Sequence, residues 1–257
     1  MENQRLSTHH LPGHDDVYYI PNFITEEEEK YLIRKINDSP QPMWKKLVNR
    51  RLQIWGGELT TKGILVAHPF PPFIDQYPDI IGRIKATGAF DQSPHKAPNH
   101  VIMNEYLPGQ GIMPHEDGPR YHPVVATLSL GSHAIFHYYQ YQSEDNEIQP
   151  AVPGNGKTIN MNPVLSVLLE PRSLIISSGA MYLSHLHGQV IVSFLYSSSL
   201  TYLFQHPGHC VMISNLDQLQ DAQIKRAIRE GQPLKRGVRY SLTCRDVGRV
   251  SSLNTRR

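Results

Sequence analysis

The chain has 257 residues, 39% of them hydrophobic, and a formal net charge of +2. That length suits one domain with decoration, and the apolar fraction is enough for a core. The charge excludes a strongly basic, nucleic-acid-coating composition. The two cysteines exclude a disulfide scaffold or a Cys-ligated zinc site and fit a reducing compartment.

Residues 1–16 are polar, lack the apolar core of a signal peptide, and predict a disordered N-terminus. Residues 17–23 predict a strand. Thr25 opens a helix: Glu28 three residues on completes a capping box, and three further acids suit the positive end of the helix dipole. Tyr31, Leu32 and Ile36 give that helix its apolar face. Residues 49–57 alternate and stop at glycines, as a hairpin arm does. Pro69 to Pro72 read as a loop, and 79–87 as a helix stopped by Gly88.

From residue 100 the texture changes to short strands at 100–106, 122–130, 134–139, 164–169, 173–178, 181–187 and 237–245. A polar loop occupies 143–162. Asn215 caps a helix over 215–230, closed by Gly231 and Pro233. The apolar run 190–195 is far shorter than the ~20 residues of a membrane span. The expected fold is mainly β (α+β): a double-stranded β-helix, or jelly roll, with an N-terminal helical layer. It forms one domain over 17–248, followed by a basic tail at 249–257.

His115-x-Asp117 sets a nitrogen ligand and a carboxylate two residues apart, on one face if the backbone there is extended. With a distant histidine they would make the 2-His-1-carboxylate triad that holds Fe(II) on one face and leaves positions open. His133 and His137 follow too closely to belong to a later strand. His185 and His187 share a strand face, so alternation does not choose between them.

Arg239, Ser241, Thr243 and Arg245 also share a face. Two arginines turned inward are costly unless an anion meets them, and a guanidinium fork fits a carboxylate. A bound 2-oxoglutarate would supply two carboxylates and a metal-chelating keto oxygen. Asn104 and Tyr106 alternate onto one face and would donate to the same ligand.

Together these segments resemble the AlkB family of Fe(II)/2-oxoglutarate dioxygenases. The shared pattern is Asn-x-Tyr, His-x-Asp, a distal His followed by Gly, and Arg-x5-Arg, matched here by Asn104/Tyr106, His115/Asp117, His187-Gly188 and Arg239/Arg245. The resemblance spans about 95–247 and selects His187 as the third ligand. It implies Fe(II), 2-oxoglutarate and O₂ as cofactors and co-substrates, with His115, Asp117 and His187 catalytic. Decarboxylation to succinate would drive C–H hydroxylation, and an N-methyl carbon would leave as formaldehyde.

The interval from His187 to Arg239 is longer than that family's usual gap. Residues 189–212 therefore read as an insertion beginning just after a metal ligand.

The expected prime substrate is alkylated nucleic acid, RNA ahead of DNA, gripped by Arg50, Arg51 and Trp55, with Lys62 at a basic-aromatic lid. The alternatives are a protein side-chain hydroxylase or demethylase, and a weakly active or inactive binder of methylated RNA. A monomer of the nucleus and cytoplasm, with no membrane partner, completes the expectation.

Overall fold

The computed structural model describes residues 6–142, 158–189, 194–195, 197–198, 201–203 and 210–251. Twelve strands carry the architecture. They are β1 (His10–Leu11), β2 (His14–Ile20), β3 (Lys45–Leu47), β4 (Arg50–Trp55), β5 (His100–Tyr106), β6 (Ile112–His115), β7 (Val124–Leu130), β8 (Ala134–Tyr139), β9 (Leu165–Leu169), β10 (Leu174–Ser178), β11 (Leu186–Gln189) and β12 (Arg239–Arg245). The larger, eight-stranded sheet runs β1-β2-β10-β7-β12-β5-β4-β3, and the smaller, four-stranded one runs β9-β8-β11-β6. Every pairing in both is antiparallel. The architecture is the double-stranded β-helix expected from the sequence.

Alternation along each strand separates two environments. On the outer face of the large sheet, Trp55, Val101, Met103, Leu128, Leu174, Leu242 and Cys244 share one core with the apolar residues of α1 (Glu26–Asn37), α2 (Pro72–Asp75) and α3 (Ile80–Ala86). On the inner face, Val17, Tyr19 and Ile175 pack against Ile135, Tyr138, Val167 and Leu169 of the small sheet. The rest of that inner face borders a cavity.

α1 begins as its sequence predicts. Thr25 accepts from the Glu28 amide at 3.2 Å, and Glu28 accepts from the Thr25 amide at 2.9 Å. Glu28 also pairs with Arg83 of α3, and Glu29 with Arg172 at 2.9 Å, which fastens α1 to the rest of the fold.

Four expectations need correction. Residues 10–16 are not disordered, because His10–Leu11 and His14–Ile20 pair with each other and extend the large sheet through β10. Residues 181–187 are not one strand: Gly179, at φ +48°, opens the short helix α4 (Gly179–Leu183), and β11 starts only at Leu186. Pro72 begins the helix α2 rather than ending a loop. The helix over 215–230 is α5 (Ala222–Arg229), capped by Asp221 and preceded by the 3₁₀ turn Leu216–Gln218. The Asn215 side chain instead bonds the Leu168 amide and carbonyl at 3.0 and 2.9 Å, so it is not free to cap.

Most of 143–162 and much of 189–212 lie outside the described residues. Within the latter, Phe194–Leu195 pairs with Leu234–Lys235, and Ser197–Ser198, Thr201–Leu203 and Cys210–Val211 form a small sheet. Of the basic tail, Val250–Ser251 pairs in parallel with Leu65–Ala67, and 252–257 lie outside.

Candidate metal and co-substrate site

β6 and β11 are neighbours, and His187 stands directly opposite His115. Their rings lie 4.5 Å apart. β6 ends at His115, so Asp117 does not share a strand face with it as expected. It sits two residues beyond, just before Gly118 at φ +83°, and the chain turns its carboxylate back toward the histidines. One ligand atom from each of His115, Asp117 and His187 falls within 4.8 Å of the others, and this is the one such group among the described residues.

Gly188 follows His187, and a Cβ there would lie 2.9 Å from the Ile112 carbonyl oxygen and 3.0 Å from the Pro114 nitrogen. The strands meet closely because that position has no side chain.

The polar details suit a cation. The His115 Nδ1–H donates to the Met113 carbonyl at 2.8 Å, leaving Nε2 as the ligand atom. Burial pushes the His187 imidazole down to about 4 and lowers His115 as well, so both are neutral donors near pH 7. Burial alone would raise the Asp117 carboxyl, but Arg245 chiefly, with His187 and His115, outweighs it and holds it below the usual range. Asp117 Oδ2 is buried without a hydrogen-bond partner, which is the kind of atom a metal ion satisfies. The donor set therefore fits Fe(II).

His185, the competing third ligand, lies elsewhere. Its Nδ1 meets the Ala180 carbonyl and its Nε2 meets Gln140, both at 3.0 Å. His137 bonds Ser166 Oγ at 2.7 Å and is buried. Neither joins the ligand group.

The triad opens into a cavity of about 500 Å³, also lined by Asn104, Tyr106, Arg239, Ser241, Thr243 and Arg245. The even positions of β5 and the odd positions of β12 deliver these side chains, and the register sets Arg239 opposite Tyr106 and Ser241 opposite Asn104. Arg245 donates to Asp117 Oδ1, and its guanidinium lies 4.9 Å from the Tyr121 ring centre. Its Nε and Nη1 remain without partners.

Arg239 is met by neutral oxygens instead. Nη1 donates to Gln189 Oε1 at 2.6 Å and Nη2 to Ser129 Oγ at 2.8 Å. Burial pulls its pKa down to about 10, still charged at neutral pH.

Of the expected substrate-binding residues, Arg50 lines the cavity and donates to Asn104 Oδ1 at 2.9 Å. Arg51 and Trp55 do not. They stand on the opposite face of β4, where Arg51 forks onto Glu105 at 2.6 and 2.7 Å. Trp55 is buried in the outer core, edge-on to Phe73 and donating to Gln53. Lys62 lies outside this cavity. Arg50 and Trp55 are five residues apart, so the period of two already divides them.

Sequence reasoning missed Gln189, Ser129, Tyr121 and Phe136, which all take part. Gln189 was within reach of it, since it shares the face of β11 with His187. Phe136 stacks on His187 with ring centres 5.4 Å apart, an arrangement with no local signature.

The family described as the 2OG-Fe(II) oxygenase superfamily matches residues 16–193. The chain belongs to that superfamily. A curated relative from Danio rerio, "Probable RNA/DNA demethylase ALKBH6", is 38% identical over 93% of this chain and 88% of its own length. "Uncharacterized protein L905" of Acanthamoeba polyphaga mimivirus is 35% identical over 47% of this chain and 55% of its own. The solved structure of OsALKBH1 aligns with a TM-score of 0.48 at 13% identity, covering 90% of this chain and 98% of that one. The chain is an AlkB-type 2OG-Fe(II) oxygenase, and this superfamily works with Fe(II), 2-oxoglutarate and O₂. His115, Asp117 and His187 fall within the matched segment, while Arg239 and Arg245 lie beyond it. No described helix is long and apolar enough to cross a membrane.

Proposed function

We propose that the chain oxidatively demethylates alkylated bases in nucleic acid, acting on RNA ahead of DNA. The observation that carries this reading is one cavity holding the His115–Asp117–His187 group at one end and the carboxylate-seeking Arg239 at the other. The zebrafish relative, named a probable RNA/DNA demethylase, supports the substrate class. RNA is placed first because its loops offer bases already unstacked, the state in which a base enters a pocket.

In this reading His115, Asp117 and His187 hold the iron. With 2-oxoglutarate and O₂, the iron supplies the oxidising power for C–H hydroxylation. Arg239, backed by Ser129, receives the distal carboxylate of 2-oxoglutarate, and Tyr106 and Asn104 close the pocket around it. Arg245 holds Asp117 ionised and oriented, and the N–H groups of its Nε and Nη1 face the co-substrate. Phe136 and Ile175 wall the cavity against water, and Arg50 meets the substrate at its edge. A hydroxylated N-methyl group then breaks down to formaldehyde and the free amine.

The test measures succinate and formaldehyde from purified protein with Fe(II), 2-oxoglutarate and methylated RNA, DNA or peptide. Formaldehyde that depends on the oligonucleotide supports the reading. Product from the peptide alone would move it to protein hydroxylation. Oligonucleotide binding without succinate would make the chain a reader of methylated RNA. Size-exclusion chromatography and imaging of the tagged chain test the monomeric state and the placement in nucleus and cytoplasm that belong to the same reading.

A further inference from the structure

A second cavity, of about 480 Å³, adjoins the first, and Tyr121 lines both. Lys62, Arg120 and Arg249 border it together with His122 and Thr61, and among the described residues no carboxylate does. The three cations come from three separate segments. Arg120 follows the expected iron ligand Asp117 by three residues, and Arg249 follows Arg245 by four. Arg249 donates to the Lys62 carbonyl, which ties two of the segments together. Gly63, at φ +70°, lies under Arg120, and even a bare Cβ there would already touch its Cγ at 3.5 Å. On a chain whose net charge is only +2, three exposed cations around one concavity form a local concentration of charge.

We propose that this cavity is a phosphodiester site that holds the backbone of a single-stranded nucleic acid whose modified base enters the iron cavity. The inference rests on the nucleic-acid reading above. A base in the first cavity is covalently tied to a sugar and its phosphates, so the anions emerge close to where the base goes in. Tyr121 marks that place, with its ring against Arg245 on one side and the basic cavity on the other. Guanidinium forks match phosphate oxygens, and Lys62 adds a point charge. Such groups hold and orient a strand without reading its sequence.

The experiment titrates a methylated single-stranded oligonucleotide into the full chain loaded with Mn(II) and 2-oxoglutarate, at several salt concentrations. It is repeated for the triple variant Lys62→Gln, Arg120→Gln, Arg249→Gln. Every cation–phosphate pair removed lowers the log–log salt slope by about 0.7 for a single strand, so the slope of the triple variant should fall by about 2. A control triple, Lys85→Gln, Lys225→Gln, Arg229→Gln, removes the same charge from α3 and α5 and should leave the slope in place. Thermal melts of all three proteins show that each is folded.

An unchanged slope in the first triple, or an equal fall in both, overturns the site while leaving the nucleic-acid reading intact. Wild type that binds no oligonucleotide overturns both. Polyglutamate bound by wild type with the same dependence on the three cations, and no oligonucleotide bound, would assign the cavity to an acidic peptide instead. Inorganic phosphate that competes as well as the oligonucleotide would reduce it to a free-anion site.

Discussion

The two ends of β12 carry arginines in opposite electrical surroundings. Arg245 is bonded to Asp117, so its charge is matched within the protein. Arg239, on the same strand and the same face, meets a hydroxyl, an amide oxygen and the Tyr106 ring 5.8 Å away but no carboxylate, so its charge is left for something else to match. A buried pair broken at one partner leaves an orphan charge, whereas a buried cation among neutral acceptors is prepared for an incoming anion. One end of the strand thus holds a carboxylate of the candidate metal group, and the other presents an unmatched cation to the cavity.

The largest effect should come from breaking the paired end. Asp117→Ala removes a ligand and strands Arg245, so metal binding and turnover should vanish. Unfolding free energy should also fall by about 3 kcal/mol. Mn(II) titration and denaturant melts check this, and a variant as stable as wild type would show that the pair contributes little.

Arg239→Ala should behave differently. Mn(II) binding and stability should hold, while the KM for 2-oxoglutarate rises about 10- to 100-fold, the worth of a missing charge-assisted hydrogen bond. An unchanged KM would remove Arg239 from the co-substrate pocket.

Gln189→Ala sharpens the contrast further. Gln189 Oε1 occupies one N–H of the Arg239 fork. Freeing it should tighten 2-oxoglutarate binding by about fivefold, one ordinary hydrogen bond's worth. Weaker binding would mean that Gln189 assists the ligand rather than standing in its place.

The smallest effects come from the two faces of β4. Arg51→Ala should cost about 1 kcal/mol of stability through the half-buried Glu105 pair and leave the substrate KM alone. Arg50→Ala should do the reverse. The same shift from both variants would dissolve the difference between the faces.

What the sequence disclosed followed the range of the forces involved. The Thr25–Glu28 cap is local chemistry and appears where it was expected. His115, His187, Arg239 and Arg245 meet in one cavity because barrel strands carry side chains at fixed intervals. What it concealed was decided at longer range. Asn215 looked like a cap, but Leu168, 47 residues away, takes its side chain. Trp55 looked like a substrate platform, but the helices packed over the outer sheet bury it. Asp117 reached the site through a turn rather than along a strand.

Gly188 separates two kinds of inheritance. The strand is clamped against β6 there, with no room for a side chain. On one side lies His187, which joins His115 and Asp117 in the candidate metal group. On the other lies Gln189, whose Oε1 accepts from Arg239 Nη1 at 2.6 Å. In the proposed reading, a protein with a different residue after this glycine would keep its metal and change its appetite for 2-oxoglutarate. On that reading, position 189 is a place where response to co-substrate supply can be retuned without touching the chemistry.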